Sequence, residues 1–282
     1  MARPLDDGSG DEAGIRALTS WLDTVQPQIA SDDRWSFYTI LMKRPIPGQM
    51  TVDGFDSSSM SGLFTLEGLF NGDFDQDATD AALDGIRALE TEAQLNGGCK
   101  VENHSSFLAW HESRWFGKTP VDMRSSMATS FLQQDAPAAT GSALASSIGG
   151  KVMALESSEM MQTFFGIQLG GAVSRVGDSD TAIPSFFRRA SMLQETDADW
   201  LLSAYDDTYL NWTAGAGDDV ANISGLEGSY CNEPDPALPA GVYESRFWGD
   251  HVDGLRKVKS KYDPSGFFEC WQCLNALTDP VL

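Results

Sequence analysis

Trp35-Ser-Phe-Tyr-Thr-Ile-Leu-Met42 is dense in aromatic and β-branched residues, and Leu63-Phe-Thr-Leu-Glu-Gly-Leu-Phe70 repeats that character. Such side chains pack well on a half-buried pleated surface, so both segments read as strands. Pro45-Ile-Pro47-Gly48 breaks the first of them. Upstream, Ile15, Leu18, Leu22 and Val25 recur at spacings of three and four, the period of an amphipathic helix over 11–25, which Pro27 is expected to end. Downstream, Ala82, Ile86, Leu89 and Ala93 line one face of a second helix over 77–95, with Asn96-Gly97-Gly98 as its C-cap. Helix, strand, strand, helix is an α+β layout in which helices cover one face of a sheet.

Beyond residue 100 the pattern is less regular. Segments 122–133 and 138–148 read as helices split by Pro137. Residues 161–176 are long and apolar and read as a central strand, interrupted by Gly170-Gly171 as a bulge or point of close approach. Residues 206–225 are polar and Gly-rich, which predicts a loop or weak strand. A last helix is expected over 248–261, with Val252, Leu255 and Val258 inward and Asp263-Pro264 as its stop.

The chain has 282 residues, enough for one large domain or two small ones. It carries 41 acidic and 19 basic residues, a net charge of −22. That balance argues against nucleic acid and against anionic membrane surfaces, both of which require positive charge. No stretch approaches the roughly 20 apolar residues needed to span a bilayer. The first residues lack the apolar core of a signal peptide, so the expectation is secretion if a signal lies upstream and an intracellular location otherwise.

Three Asn-X-Ser/Thr sequons occur, at Asn103, Asn211 and Asn222. The four cysteines are Cys99, Cys231, Cys270 and Cys273. Cys270-Trp-Gln-Cys273 lacks the second ligand pair of a zinc site, which leaves a local disulfide or two structural thiols. His104, His111 and Glu112 lack metal-motif spacing. No P-loop, Rossmann fingerprint or Gly-X-Ser-X-Gly is present.

The last fifty residues add a specific signal. Gly228-Ser-Tyr-Cys-Asn-Glu-Pro-Asp235, Phe247-Trp-Gly249, Leu255-Arg-Lys-Val-Lys259, Tyr262-Asp-Pro264 and Phe267-Phe268 follow one another in order. Upstream stand Gln168-Leu-Gly-Gly-Ala-Val-Ser-Arg-Val176, Thr181-Ala-Ile-Pro184 and Arg189, with Ser106-Phe-Leu-Ala-Trp110 earlier. Together they resemble the C-terminal part of berberine-bridge-enzyme-like FAD-linked oxidases, of the vanillyl-alcohol-oxidase-like flavoprotein class, over roughly residues 30 to 275. The resemblance implies a broad antiparallel sheet roofing the isoalloxazine ring. It also implies a division into a substrate-binding domain, 1–225, and a C-terminal helical segment, 226–282, that packs on an FAD-binding domain absent from this chain.

What it implies for individual residues is also definite. Tyr230 and Glu233 become the candidate general bases for a substrate hydroxyl, a role that needs a group within hydrogen-bond reach and a tuned pKa. Asn232, Trp248 and His251 become candidate cofactor contacts, with His251 standing where the family commonly has Asn. Along the expected strand, Gln168, Gly170, Ala172 and Ser174 share one face and Arg175 lies on the other; these are the candidate pocket residues.

The expected function is FAD-dependent oxidation of an alcohol, sugar or phenolic, alkaloid-like small molecule. The FAD would be gripped by a missing N-terminal domain or a separate polypeptide, so this chain is not expected to act alone. The alternatives are a flavin-free small-molecule or carbohydrate-binding protein, or a truncated non-catalytic relative.

Overall fold

The computed structural model describes residues 10–29, 34–45, 60–70, 80, 84, 87, 102, 104–106, 108, 109, 124–154 and 160–274. The described strands are β1 (Trp35–Pro45), β2 (Met60–Phe70), β3 (Arg124–Gln133), β4 (Met160–Gln168), β5 (Ala190–Trp200) and β6 (Leu226–Glu227). They form one sheet of order β2-β1-β4-β5-β3-β6, antiparallel at every junction. The α+β expectation and the broad antiparallel sheet both hold.

Helix α1 runs from Gly10–Ser20 through a π turn at Trp21–Val25 into Gln26–Ile29. Helix α2 likewise joins Thr140–Leu144, a π turn at Ala145–Gly149, and Gly150–Met153. Then come α3 (Ser185–Arg189), α4 (Asp206–Ala221), α5 (Tyr243–Trp248) and α6 (Val252–Tyr262). No helix among the described residues is long and apolar enough to cross a membrane.

The main core lies on one face of the sheet. Phe37, Leu41, Phe64, Phe164 and Met192 meet Leu18, Trp21 and Leu22 of α1, Leu144, Ile148 and Val152 of α2, and Ala216 and Val220 of α4. Each of the larger aliphatic and phenylalanine side chains, once buried, contributes about 1.5–3 kcal/mol. Trp21 and Phe37 pack with ring centroids 5.0 Å apart.

Several sequence expectations need correction. Pro27 does not end α1: the helix passes through it to Ile29. The π turn before Pro27 offers the reason, since proline has no N–H to give and crowds the preceding turn. Segment 122–133, read as helix, is strand β3. Its Ser126, Thr129, Ser130 and Gln133 are buried yet all hydrogen-bonded, so tertiary pairing overrides a run without clear alternation.

Residues 206–221, read as loop, are helix α4. Tyr209, Thr213, Ala216 and Val220 give it a buried stripe at helical spacing that the two glycines, Gly215 and Gly217, disguise. Strand β4 stops at Gln168 rather than continuing to 176. Gly170 and Gly171 take φ of 126° and 53°, and Val173–Arg175 forms a 3₁₀ turn. Gln168, Gly170, Ala172 and Ser174 therefore do not share a strand face. The last helix is broken at Gly249, and Val258, expected inward, is exposed. The body of the predicted helix 77–95, apart from residues 80, 84 and 87, lies outside the described residues.

The sheet's second face carries a different set of side chains. Along β5, Met192, Gln194, Thr196, Ala198 and Trp200 point to the helix-covered side, while Leu193, Glu195, Asp197 and Asp199 point away from it. The alternation is the one expected of a central strand, although no strand was expected there.

Candidate functional site

Glu195 lies near the middle of β5, opposite Thr129 of β3 on one side and Phe165 of β4 on the other. Next along the same face, Asp197 faces Met127 and Thr163, and Asp199 faces Ser125 and Met161. Phe165 stacks on Tyr38 of β1 with centroids 5.5 Å apart. The result is a row of carboxyl groups bordered by an aromatic pair.

The segment after β6 is drawn onto this face by backbone and side-chain bonds. The backbone N–H of Tyr230 donates to Thr129 Oγ1 at 2.7 Å. Its ring packs against Phe131 at 6.4 Å and Phe187 at 6.1 Å. Just before it, the Ser229 N–H donates to the Arg246 carbonyl at 2.7 Å. Just after it, Gln272 Nε2 donates to the Asp235 carbonyl at 2.8 Å and to that of Leu238 at 3.4 Å. Gln272 is held in a turn closed by the Cys270–Cys273 disulfide, whose Cys273 carbonyl accepts from the Tyr243 hydroxyl at 2.9 Å. The local disulfide expected from the CxxC spacing is therefore present, and the tail's end clamps the segment that carries Tyr230 and Glu233.

Gly228 is the hinge of this arrangement. It sits at φ 63°, and a Cβ there would run into the Phe186 ring. Gly228→Ala is expected to cost about 2 kcal/mol or more, from left-handed strain plus displacement of a buried ring. Chemical denaturation of wild type and variant checks it; a midpoint shift within error would contradict this account of the hinge.

Burial first, then the neighbouring Glu233 side chain through hydrogen bonding and charge, then Asp197, push the Glu195 carboxyl up to about 9. Burial and the charges of Asp199 and Glu233 push Asp197 up to about 7. Oε1 of Glu195, Oδ1 of Asp197 and Oε2 of Glu233 are buried without a hydrogen-bond partner. Asn232 is exposed, and its Nδ2 donates to the Tyr230 hydroxyl at 2.9 Å. Chemically, the cluster can accept a proton and can orient a hydroxyl group.

Of the residues singled out from sequence, Tyr230, Asn232 and Glu233 are thus brought together on the sheet face. Trp248 and His251 lie elsewhere, at the junction of α5 and α6. There Gly249 approaches Phe186 and Pro184, and Ser185 Oγ donates to Asp250 Oδ1 at 3.1 Å. His251 Nε2 is 3.7 Å from Asp250 and lines a shallow pocket of about 450 Å³ with Asp178, Thr181 and Leu255. Gln168 ends β4, and Gly170, Ala172, Ser174 and Arg175 lie in the turn after it, outside the sheet. Ala172, Ser174 and Arg175 are exposed, and Ser174 Oγ donates to the Gly171 carbonyl at 2.9 Å. Arg188 braces this turn through the Val173 carbonyl at 3.1 Å and Thr181 Oγ1 at 2.6 Å.

Sequence reasoning missed Glu195, Asp197 and Thr129. A signal was present for the acids: in Ala190-Ser-Met-Leu-Gln-Glu-Thr-Asp-Ala-Asp-Trp200 they occupy alternate positions, the period of a strand.

Among known proteins, the family described as "Berberine and berberine like" matches residues 229–274. The uncharacterized FAD-linked oxidoreductase YvdP of Bacillus subtilis (strain 168) is 32% identical over 110 residues, which is 37% of this chain and 22% of that protein. Xylooligosaccharide oxidase from Myceliophthora thermophila C1 superposes with a TM-score of 0.66 at 17% identity, over 98% of this chain and 54% of that one. Berberine bridge enzyme from Eschscholzia californica does so with a TM-score of 0.63 at 12% identity, over 99% and 55%. At those identities the structures speak for the fold alone. The chain spans about half the length of the solved relatives it matches.

Proposed function

We propose that this chain, similar to the C-terminal portion of berberine-bridge-enzyme-like FAD-linked oxidases, forms the substrate-binding wall of an FAD-dependent oxidase acting on a small molecule that carries a hydroxyl group. The observation that carries this reading is the gathering of Tyr230, Asn232 and Glu233 near Glu195 on the second face of the sheet. Sugars, alcohols and phenolic, alkaloid-like compounds are the substrate classes in view, and the xylooligosaccharide oxidase among the structural relatives makes sugars the first to try.

Two buried, unpartnered carboxyl oxygens, on Glu195 and Glu233, call for a polar group on this face, and a substrate hydroxyl beside the reactive edge of FAD fits that need. When bound, FAD supplies the hydride acceptor. The chain's own part is to position and to manage a proton. Tyr230, fixed by Thr129 below and Asn232 at its hydroxyl, orients the substrate oxygen. The carboxyl groups take up its proton. Phe165 and Tyr38 offer a flat apolar surface that keeps water from the substrate's body.

The grip on the diphosphate end of FAD is proposed to come from a further domain or a separate polypeptide. Tyr262, Phe267, Phe268 and Trp271 are 73%, 81%, 71% and 62% exposed, an aromatic patch suited to being covered by it. Asn232, Trp248 and His251 are proposed to contact the cofactor from this side.

The test uses the full-length natural protein. Its visible spectrum is expected to show bound flavin, and mixing with a panel of oligosaccharides, alcohols and phenols under anaerobic conditions is expected to bleach it. Tyr230→Phe is expected to slow that bleaching by ~10²-fold, the scale on which a lost substrate-positioning contact acts. A natural protein without flavin overturns the proposal and leaves a flavin-free binding protein in its place.

A further inference from the structure

We propose that Asp197 and Asp199, which follow Glu195 along one face of β5, form a subsite for a protonated amine, so that the small molecule bound on this face carries an ammonium group about 7 Å, one strand repeat, beyond its hydroxyl end. The inference rests on the oxidase reading for the hydroxyl end, but the amine subsite is a property of the chain itself.

Strand register sets out the row. Glu195 lies between Thr129 and Phe165, Asp197 between Met127 and Thr163, and Asp199 between Ser125 and Met161. Every flanking residue is neutral, so neither β3 nor β4 offers a counter-charge at these levels. The segment after β6 adds Glu233, of the same sign, at the Glu195 end. Among the described residues no Lys, Arg or His pairs with Glu195, Asp197, Asp199 or Glu233.

A second observation says that the row is short of a donor. Glu195 is 6% exposed, and its Oε1 is buried without a hydrogen-bond partner. Oδ1 of Asp197, one repeat further on, is in the same condition. A buried acceptor left without a donor bears its full desolvation cost, so both oxygens favour a ligand that brings N–H or O–H groups. A metal ion is not that ligand: no group of three or more His, Cys, Asp or Glu among the described residues could hold one. Acids spaced by about 7 Å along a strand do not converge on an ion whose ligands stand at about 2–2.6 Å. An ammonium group needs no such convergence. It has three N–H donors, bonds one carboxylate strongly and lies in the field of the next.

Burial fixes which way round the ligand lies. Glu195 is buried, Asp197 and Asp199 are half-buried, and Ser125 and Met161 at the far end are exposed. The hydroxyl end therefore goes in first, toward Glu195 and Tyr230, and the amine stays nearer the open end. Met127 and Met161 beside the acids give the body of the ligand an adaptable apolar border. Burial, then the charges of Asp199 and Glu233, hold Asp197 up to about 7, and burial raises Asp199 as well. A bound ammonium group offsets that penalty by favouring the ionised form of both.

The experiment is calorimetric titration of the full-length natural protein at pH 7 with probes matched except for charge. One set is the glucosamine disaccharide, its N-acetylated form and cellobiose. The other is tyramine against para-ethylphenol. The ammonium-bearing member is expected to bind ~10-fold or more tightly than its neutral counterparts in at least one set, the scale of a hydrogen bond to a charged group. Added salt is expected to weaken the amine alone. Asp197→Asn is expected to abolish the preference. Asp199→Asn, at the more open position, is expected to reduce it, and serves where Asp197→Asn fails to fold.

An amine bound no more tightly than its neutral counterparts in both sets, or not bound at all, overturns the proposal. A preference that survives in both variants overturns its assignment to this row. A natural protein that reduces flavin with neutral substrates and shows no amine preference refutes the subsite and spares the oxidase reading. One that prefers the amine but holds no flavin refutes the oxidase reading and leaves the subsite standing.

Discussion

Phe131→Ala is expected to lower folding stability by about 3–5 kcal/mol, the range for removing a large buried aromatic side chain. Phe131 is fully buried at the end of β3 nearest β6. Its ring meets Phe186 at 5.2 Å, Phe187 at 4.8 Å and Tyr230 at 6.4 Å. The substitution opens a cavity beneath three rings at once, and part of the cost is the incomplete collapse of that space. It also removes the surface against which Tyr230 rests, so substrate turnover is expected to fall even where the variant remains folded. Urea denaturation gives the first quantity and flavin reduction the second. Phe131→Leu, which refills most of the volume, is expected to recover more than half of the lost stability. A loss below about 1 kcal/mol in the alanine variant would mean that the aromatic cluster does not bear on the sheet as described.

Stability is also expected to fall as pH rises from about 5 to 9, against the common pattern for carboxyl-rich proteins. Proton counting gives the sign. Glu195 is raised from an ordinary 4.5 to about 9, and Asp197 from 3.8 to about 7. Between those values the folded chain holds protons that the unfolded chain has released. The stabilisation linked to them is present in full below the unfolded values, and it is lost as pH rises to the folded ones. Each retained proton can contribute a slope of up to about 1.4 kcal/mol per pH unit while the difference lasts. Glu195→Gln removes the larger share. It is expected to flatten the profile above pH 7 and to make the variant more stable than wild type at pH 8.5. Thermal midpoints measured from pH 5 to 9 decide it; a wild-type midpoint that rises across that range would contradict the assignment.

How far the sequence spoke for itself depended on whether tertiary contacts agreed with local pattern. Strands β1 and β2 were plain because their aromatic and β-branched residues carry the signal within the segment. Helix α1 was plain from its apolar spacing. Strand β3 was not, since Ser126, Thr129, Ser130 and Gln133 are polar residues buried through partners distant in sequence, Thr213, Tyr230, Gln194 and Phe186. Strand β5 was hidden for a similar reason: its acids look like solvated loop until the sheet is assembled around them. Helix α4 was obscured by glycines that a helix tolerates only when its other face is well packed.

The site divided along the same line. Tyr230, Asn232 and Glu233 sit in a short segment with a family signature and were legible. Glu195, whose carboxyl feels the charge of Glu233, lies 38 positions away and became visible only through strand register. The Gly170-Gly171 reading went the other way: a local pattern of apolar residues suggested extension, while positive φ at both glycines turns the chain out of the sheet.

The strand order carries a consequence for biosynthesis. β5 lies between β3 and β4, both of which precede it in the chain. As the polypeptide leaves the ribosome, β1, β2 and β4 can pair with one another, but among the described strands β3 has no neighbour until residues 190–200 emerge. Until then the nascent chain presents β3 and one side of β4 as open edges, the features most prone to pairing with other molecules. The strand that closes the gap is the one bearing Glu195 and Asp197. Its alternating acids make β5 itself a poor template for intermolecular pairing before it docks between β3 and β4.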